Sequence, residues 1–126
     1  MKPSRLFLML WLFVEPGLGY ADELLIESSV KPDNPYVQQQ VVYTLRLYRE
    51  SHLQRGYFVK PEISGAILKS LEALPPKPVS YKGREYELVE QQYLLFPQHS
   101  GRLNLPPPMF SSRELFVKGE PLILNV

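Results

Sequence analysis

The chain has 126 residues, no cysteine, 13 prolines against 7 glycines, and 14 basic against 13 acidic side chains. This length has room for one domain of ordinary size, and the lack of cysteine excludes a disulfide framework and thiolate metal ligands. The formal net charge of +1 does not suggest the clustered basic surface that marks nucleic-acid binding. We therefore expect one cysteine-free domain that binds no nucleic acid.

The first segment has the three-part pattern of a secretory signal peptide. A short basic start precedes nine consecutive apolar residues, 6–14, and small residues follow before Asp22. Nine apolar residues are too few for a membrane-spanning helix, which needs about 20, so a cleaved signal is favoured over an uncleaved anchor. The sequence predicts a signal peptide over residues 1–21 and a mature domain over residues 22–126 that has no membrane span.

The predicted mature domain carries no formal charge. Removal of the signal takes away two basic residues and one acidic residue, which leaves 12 of each. A cysteine-free secreted domain of this size depends on its core alone for stability. This composition favours a bacterial periplasmic module, secreted across the inner membrane.

The mature sequence predicts an all-β fold. Apolar and polar residues alternate with period two between turn signals, and no window keeps helical spacing for three turns. Residues 66–71 fit either a strand or one amphipathic turn. The other predicted strands, in chain order, are residues 24–30, 40–49, 56–60, 79–81, 84–96, 102–105 and 122–126.

The strand at residues 40–49 has the clearest alternation. One face carries the four apolar residues Val41, Tyr43, Leu45 and Leu47, which we expect to point into the core. The opposite face carries a different set of four. These are Val42, Thr44, Arg46 and Tyr48.

Turn residues divide the rest of the chain. Residues 74–78 contain three prolines and predict an extended link, and residues 106–108 are prolines that should end strand pairing. Gly83 predicts a hairpin turn before the long strand. The apolar face of that strand changes along its length, so we expect a bulge near residues 90–92.

About seven short strands at this spacing favour an immunoglobulin-like antiparallel β-sandwich. A small β-barrel is the alternative. The cysteine and tryptophan landmarks of antibody domains are missing from the mature chain, so the prediction concerns the Ig-like sandwich in its broad sense.

Two stretches resemble a known family. Residues 35–48 read PYVQQQVVYTLRLY, residues 93–98 read YLLFPQ within the stretch 86–101, and Gly83 precedes Tyr86 at a matching spacing. These features resemble the BatD proteins of bacterial envelopes, also called oxygen-tolerance or aerotolerance proteins. The resemblance implies a periplasmic, Ig-like module that acts in an envelope stress or aerotolerance assembly.

The resemblance also implies partners and a longer architecture. BatD proteins are expected beside operon neighbours with von Willebrand-type metal-dependent adhesion domains or tetratricopeptide repeats, so we expect a non-enzymatic module that binds such an envelope protein. Typical members have repeated modules and a C-terminal membrane helix. By this resemblance we expect the chain to be either a standalone single module or a shortened copy.

The sequence contains no established catalytic or metal-binding motif. His52 and His99 are 47 residues apart and are predicted in loops, without the further ligands that zinc requires. Glu85 and Glu87 share a strand face and are predicted to be solvated, and Glu90 follows on the same strand. We therefore expect no cofactor, metal or catalytic residue, although a hydrolase using Glu90 or His99 is one hypothesis that a structure can test.

The candidate partner-binding residues are the second set on the strand at residues 40–49. Val42, Thr44, Arg46 and Tyr48 combine apolar, hydroxyl, guanidinium and aromatic groups in one row, a mixture that includes residue types enriched in binding patches. The structural alternative is that they pack under a neighbouring loop or lie at an ordinary surface, because Tyr and Arg are common cross-strand partners on an outer sheet face. A second function hypothesis is a chaperone-like or carbohydrate-binding sandwich that recognises an extended ligand at an open edge strand.

Overall fold

A computed structural model describes residues 24–50, 55–113 and 116–126 of the chain. The predicted signal peptide, residues 1–21, lies outside these residues. The described part contains no helix and confirms the prediction of an all-β fold. Its ten strands are β1 Leu24–Lys31, β2 Val41–Arg49, β3 Gly56–Phe58, β4 Ala66–Ser70, β5 Lys77–Tyr81, β6 Arg84–Pro97, β7 Arg102–Leu105, β8 Met109–Ser112, β9 Phe116–Lys118 and β10 Leu122–Asn125.

Five strands form one antiparallel sheet in the order β1-β2-β6-β4, and β5 also pairs with β6. β4 pairs with the end of β6 and β5 with its beginning, so both lie along the same side of β6. The segment 71–76 joins β4 to β5 and runs beside residues 89–92 of β6, so it is two residues longer than the stretch it passes. It leaves the ladder because Pro75 and Pro76 have no amide donor. The predicted link at residues 74–78 is therefore too long: β5 begins at Lys77, and Pro78 is tolerated on an edge strand.

The remaining five strands form the second layer, in which β7 pairs with β10 and β8 pairs with both β3 and β9. The register of β7 on β10 is the same as that of β8 on β9. The Gly119 amide donates a hydrogen bond to the Pro108 carbonyl at 2.9 Å between the two ladders. The second layer thus contains one long hairpin that is interrupted where Pro106, Pro107 and Pro121 lack an amide donor.

These interruptions account for the number of strands. β4 with β5, β7 with β8, and β9 with β10 are each one strand that proline-containing segments divide. If each pair is counted once, the described residues contain seven strands, although these are not the same seven as in the prediction, which kept β4 and β5 apart. β8 and β9 were missing from the prediction because three prolines were expected to end pairing, whereas pairing resumes directly after them.

The core lies between the five-stranded sheet and the hairpin of the second layer. Its eight buried side chains are at most 7% exposed and come from both layers. They are Val41, Tyr43, Leu45, Tyr93, Leu95, Leu103, Leu105 and Leu124. The predicted inward face of β2 is confirmed, and the arrangement of antiparallel sheets is consistent with a β-sandwich.

The predicted bulge in β6 is wrong. The register of β2 on β6 runs without interruption from Val41 opposite Leu95 to Arg49 opposite Glu87. Tyr86 and Leu88 therefore lie on the face opposite the core, but they are only 7% and 8% exposed. The apolar face changes along β6 because the sheet packs apolar side chains on both of its faces.

Tyr43 bridges the two layers. Its side chain is completely buried, and its hydroxyl donates a hydrogen bond to the Pro106 carbonyl at 3.4 Å. Burial, and next the neighbouring Tyr93, raise the pKa of Tyr43 to about 12 from its ordinary 10, with Ser28 opposing them. The neutral phenol is therefore the form that the fold stabilises.

This raised pKa predicts a loss of stability at high pH. Above pH 10 an unfolded tyrosine releases its proton while Tyr43 in the folded state keeps it. Deprotonation therefore stabilises the unfolded state relative to the folded state. Between pH 10 and pH 12 the free energy of unfolding should fall by about 2 kcal/mol from this group. Urea unfolding followed by circular dichroism at several pH values measures it.

Two variants separate this effect from general alkaline unfolding. Tyr43→Phe should make this decline shallower without abolishing it, because the raised pKa values of Tyr48 and Tyr93 remain. Tyr57→Phe, which changes a side chain that is 66% exposed, is the control. An equally steep decline in Tyr43→Phe would show that the buried phenol is not its source.

Candidate functional site

The four predicted partner-binding residues lie in one row on the face of the five-stranded sheet opposite the core, which we call the outer face. β2 lies between β1 and β6 in this sheet, so the row follows the middle of the outer face. Val42, Arg46 and Tyr48 are half-buried, whereas Thr44 is only 4% exposed. The side-chain amide of Gln92 donates a hydrogen bond to the Thr44 hydroxyl at 3.3 Å. Thr44 is therefore packed into the surface of the outer face.

Arg46 connects three adjacent strands of the outer face, β1, β2 and β6. Its Nε donates to Glu90 on β6 at 2.9 Å, and its Nη1 donates to the Ser29 hydroxyl on β1 at 2.9 Å. Glu27, also on β1, lies 3.9 Å from the same nitrogen. The guanidinium therefore lies between two carboxylates and balances one of their two negative charges, and the Glu90 side chain is only 15% exposed.

This network predicts a measurable cost for removing the arginine. Arg46→Met should lower the free energy of unfolding by about 2 kcal/mol, because it leaves Glu27 and Glu90 close together without a counter-charge in a partly buried site. In the Glu90→Gln background the same substitution should cost about half as much. Urea unfolding of the two single variants and the double variant measures the coupling; equal costs in both backgrounds would contradict it.

Tyr48 belongs to a tyrosine cluster at the other end of the row. Its ring stacks on Tyr81 with centroids 4.9 Å apart and meets Tyr86 edge-on at 6.2 Å. Burial, and next the charge of Glu27, raise the pKa of Tyr48. Its hydroxyl donates to a Glu27 carboxylate oxygen at 3.3 Å, so the cluster and the Arg46 network are continuous.

Two basic side chains border this tyrosine cluster. The Lys82 ammonium lies 5.4 Å from the centroid of the Tyr81 ring, and the Arg84 guanidinium lies 5.9 Å from that of Tyr86. Arg84 also forms an ion pair with Glu50. Lys82 and Gly83 both have positive φ, at 52° and 79°, so the predicted hairpin turn has the left-handed backbone of a type I′ turn.

Two depressions lie on the outer face, one at each end of the row. The larger has a volume of about 440 Å³ and is lined by Ser29, Val30, Lys31, Val42, Thr44, Arg46 and Gln92. The smaller has a volume of about 260 Å³ and is lined by Leu25, Tyr81, Lys82, Arg84 and Tyr86. Three of the four predicted residues line the larger depression, and the fourth, Tyr48, packs against the tyrosines of the smaller one.

The three glutamates of β6 lie on two faces of the strand. Glu85 and Glu87 share a face, as predicted, but Glu87 is half-buried and not fully solvated. Glu87 accepts a hydrogen bond from Arg49 Nε at 2.8 Å on the core side of the sheet, where Arg49 is 7% exposed. Glu85 and Glu87 line a depression of about 270 Å³ with Glu50. Glu90 points to the outer face and binds Arg46, so it does not join the other two.

Glu90 and His99 do not meet in one pocket. His99 is exposed in the corner after β6, and the strand between Glu90 and Pro97 alone covers about 23 Å. His52 lies outside the described residues. Among the residues that the structure describes, no group of three His, Cys, Asp or Glu side chains is placed to hold a metal ion.

Sequence reasoning missed the residues of the smaller depression. Tyr81, Lys82 and Arg84 were predicted only as the hairpin turn and the strand ends beside it, and nothing local indicates that this turn stands beside Tyr48. The pairing of β5 with β6, and of β6 with β2, brings them together. The sequence signal that was available is the basic and aromatic composition of the turn itself.

A comparison with protein-family models, curated proteins and solved structures finds no match for the chain. Within residues 24–50, 55–113 and 116–126 there is no helix of the length and apolarity needed to cross a membrane. The outer face is therefore interpreted from its own geometry.

Proposed function

We propose that the protein is a non-enzymatic interaction module of the bacterial periplasm that binds another envelope protein through its outer face. The observation that carries this proposal is the row Val42, Thr44, Arg46 and Tyr48 between two depressions. A valine, an arginine and a tyrosine remain half-buried there, and no strand of the described residues covers them. Tyrosine and arginine are enriched at the centres of protein interfaces.

The strand order supports an Ig-like form of the sandwich. With β4 and β5 counted as one strand, the first sheet has the order β1-β2-β6-β4/β5, which corresponds to the order A-B-E-D of Ig constant-type domains. The second layer, with β3 beside the interrupted hairpin, corresponds to strands C, F and G. Domains of this class present flat sheet faces that suit protein binding.

The predicted signal peptide and the resemblance of residues 35–48 and 86–101 to BatD proteins support the envelope location. Together they favour a role in an envelope stress or aerotolerance assembly, with a von Willebrand-type or tetratricopeptide-repeat protein of the same operon as partner. Fractionation of expressing cells, with N-terminal sequencing of the product, tests this location. We expect a periplasmic product that begins at Asp22.

A non-enzymatic role is supported by the engagement of the acidic side chains. Glu87 and Glu90 are the two half-buried glutamates of β6. Arg49 binds Glu87 at 2.8 Å, and Arg46 binds Glu90 at 2.9 Å. A general acid or base requires a carboxyl group within reach of the substrate.

Site-specific photocrosslinking tests the proposed interaction. A photoreactive amino acid at Val42, which lines the larger depression, should give a discrete adduct with one envelope protein in intact cells. The same group at Ile123, which is 52% exposed in the second layer, is the matched control and should give none. Adducts at neither position, or the same adducts at both, would refute the outer face as the interface.

A second candidate, strand addition at an open edge, is favoured by one observation on β1. Among the described residues, β1 makes no backbone hydrogen bond except those to β2, and unpaired strand edges recruit extended peptides. Gly119 packs closely on the Ile26 carbonyl, which leaves the part of β1 beyond Ile26 for such pairing. Amide exchange distinguishes the two modes, because strand addition alone should protect the amides of residues 27–31 that do not bond β2 when the partner binds.

A further inference from the structure

The basic residues of the outer face are distributed unevenly. The register places Lys31, Lys69 and Lys77 on this face, opposite Val42, Leu94 and Leu88, and Lys82 stands in the adjoining turn. All four lysines are exposed. None of them is in an ion pair among the residues that the structure describes.

The acidic residues of the outer face lie beside arginines. Glu27 and Glu90 share Arg46, and Glu50 binds Arg84. Arg46 balances only one of its two carboxylates, so the centre of the face keeps one negative charge, whereas the four lysines at its margin carry four positive charges. The net charge of this face is therefore positive, although the predicted mature chain as a whole carries no formal charge. Such a surface attracts an acidic partner and orients it as it approaches.

We infer that the outer face binds an extended, acidic segment of its partner protein, with one acidic side chain near Lys31 and another near Lys82. This inference rests on the proposed function and names the chemistry of the partner. Lys31 lines the larger depression and Lys82 the smaller one. Each depression thus combines a lysine with an apolar or aromatic wall.

The spacing of the two depressions sets the length of the segment. Lys31 and Leu25 belong to the larger and the smaller depression respectively and are six residues apart on β1. Six residues of strand cover about 20 Å, which an extended peptide of about seven residues spans. The row on β2 lies beneath such a peptide along its whole length.

The charges between the two ends favour a protein segment over a polyanion. Glu27 and Glu90 lie midway along the row. A nucleic acid or an anionic membrane would bring closely spaced negative charges over these carboxylates, and like charges in contact are unfavourable. A peptide with acidic ends and an uncharged middle avoids this repulsion.

Fluorescence anisotropy with labelled synthetic peptides tests the inference on the protein purified after expression of the full chain. The probe has a glutamate at each end of about seven residues, with uncharged residues between them. Its control is an isomer with both glutamates in the middle. We expect the probe to bind at least about tenfold more tightly than the isomer, a difference of about 1.4 kcal/mol.

Variants of the protein locate the two ends. Lys31→Glu should weaken binding of the probe about fivefold, and Lys82→Asn, which suits the positive φ of the turn, about threefold. Lys60→Glu is the matched control, because Lys60 is exposed beside the second layer, and it should have no effect. Circular dichroism confirms that each variant folds.

Several outcomes would overturn the inference. These are undetectable binding of the probe, equal affinity for the two isomers, an equal effect of Lys60→Glu, or tighter binding of single-stranded DNA or anionic vesicles than of the probe. A crosslinked adduct at Val42 with no preference among the peptides would refute the acidic segment while the proposed interface stands. Preference for the probe without an adduct would refute the envelope partner instead.

Discussion

Phe110→Ala should lower the free energy of unfolding by about 4 kcal/mol, the largest effect of any single substitution considered. Phe110 lies on β8, is 1% exposed, and meets Phe58 of β3 edge-on with ring centroids 5.3 Å apart. Its truncation removes the transfer free energy of a buried ring and leaves a cavity that two short strands cannot close. A domain of this size is stable by only about 5–15 kcal/mol, so the variant should be close to unfolding at 37 °C.

The same substitution on the other face of the same sheet is the control. Phe116 on β9 is 60% exposed, and Phe116→Ala should change stability by less than about 0.5 kcal/mol. Urea unfolding followed by circular dichroism compares the two variants. Equal losses of unfolding free energy in the two variants would mean that the face of the second layer that carries Phe110 does not pack against the protein interior.

The period-two pattern predicted the strands that pack on the core. Val41, Tyr43, Leu45 and Leu47 alternate without exception, and each is at most 1% exposed. One buried face fixes the register of a strand, because a shift by one residue would expose the whole apolar set. The row on the outer face follows from the same alternation, so it was predictable as well.

The pattern failed where both faces of a strand are apolar. Tyr86 and Leu88 pack under Tyr48 and Tyr81 on the outer face, so their alternation continues without the bulge that a single core would require. Nothing in β6 alone reveals a second apolar cluster. The cluster depends on partners from β2 and β5, which are distant in sequence.

The prediction that prolines interrupt strand pairing was correct, but the prediction that pairing ends at residues 106–108 was wrong. Residues 106–108 stop one ladder, yet β8 resumes the same register immediately afterwards. Tyr43 compensates in part for the interrupted pairing, because its hydroxyl donates a hydrogen bond to the Pro106 carbonyl. A local rule about missing amide donors cannot reveal that a side chain from the other layer supplies a replacement.

The margin of the outer face was the least predictable part of the site. Lys31, Lys69, Lys77 and Lys82 are spread over 52 positions of the sequence and form no local cluster. The pairing of β1, β4 and β5 around β2 and β6 brings them to one face. Net charge near zero concealed this arrangement, because composition does not report how charges divide between two layers.

Gly56→Ala should cost about 3 kcal/mol, although the position is in a short, exposed strand. A Cβ atom on Gly56 would overlap the backbone carbonyl oxygen of Ser111 and lie 2.9 Å from the ring of Phe110. A backbone atom cannot move aside as a flexible side chain does, so β3 would have to separate from β8. Sequence analysis predicted the strand but not this close approach, which depends on the pairing of β3 with β8.

Gly83→Ala is the control for this prediction. Gly83 has a φ of +79° and no neighbouring atom within 4 Å of an added Cβ, so the substitution adds backbone strain of about 1 kcal/mol without a steric overlap. Urea unfolding should therefore rank Gly56→Ala as clearly more destabilising than Gly83→Ala. The reverse order would mean that β3 does not pack closely on β8, and that the second layer ends at the hairpin of β7 to β10.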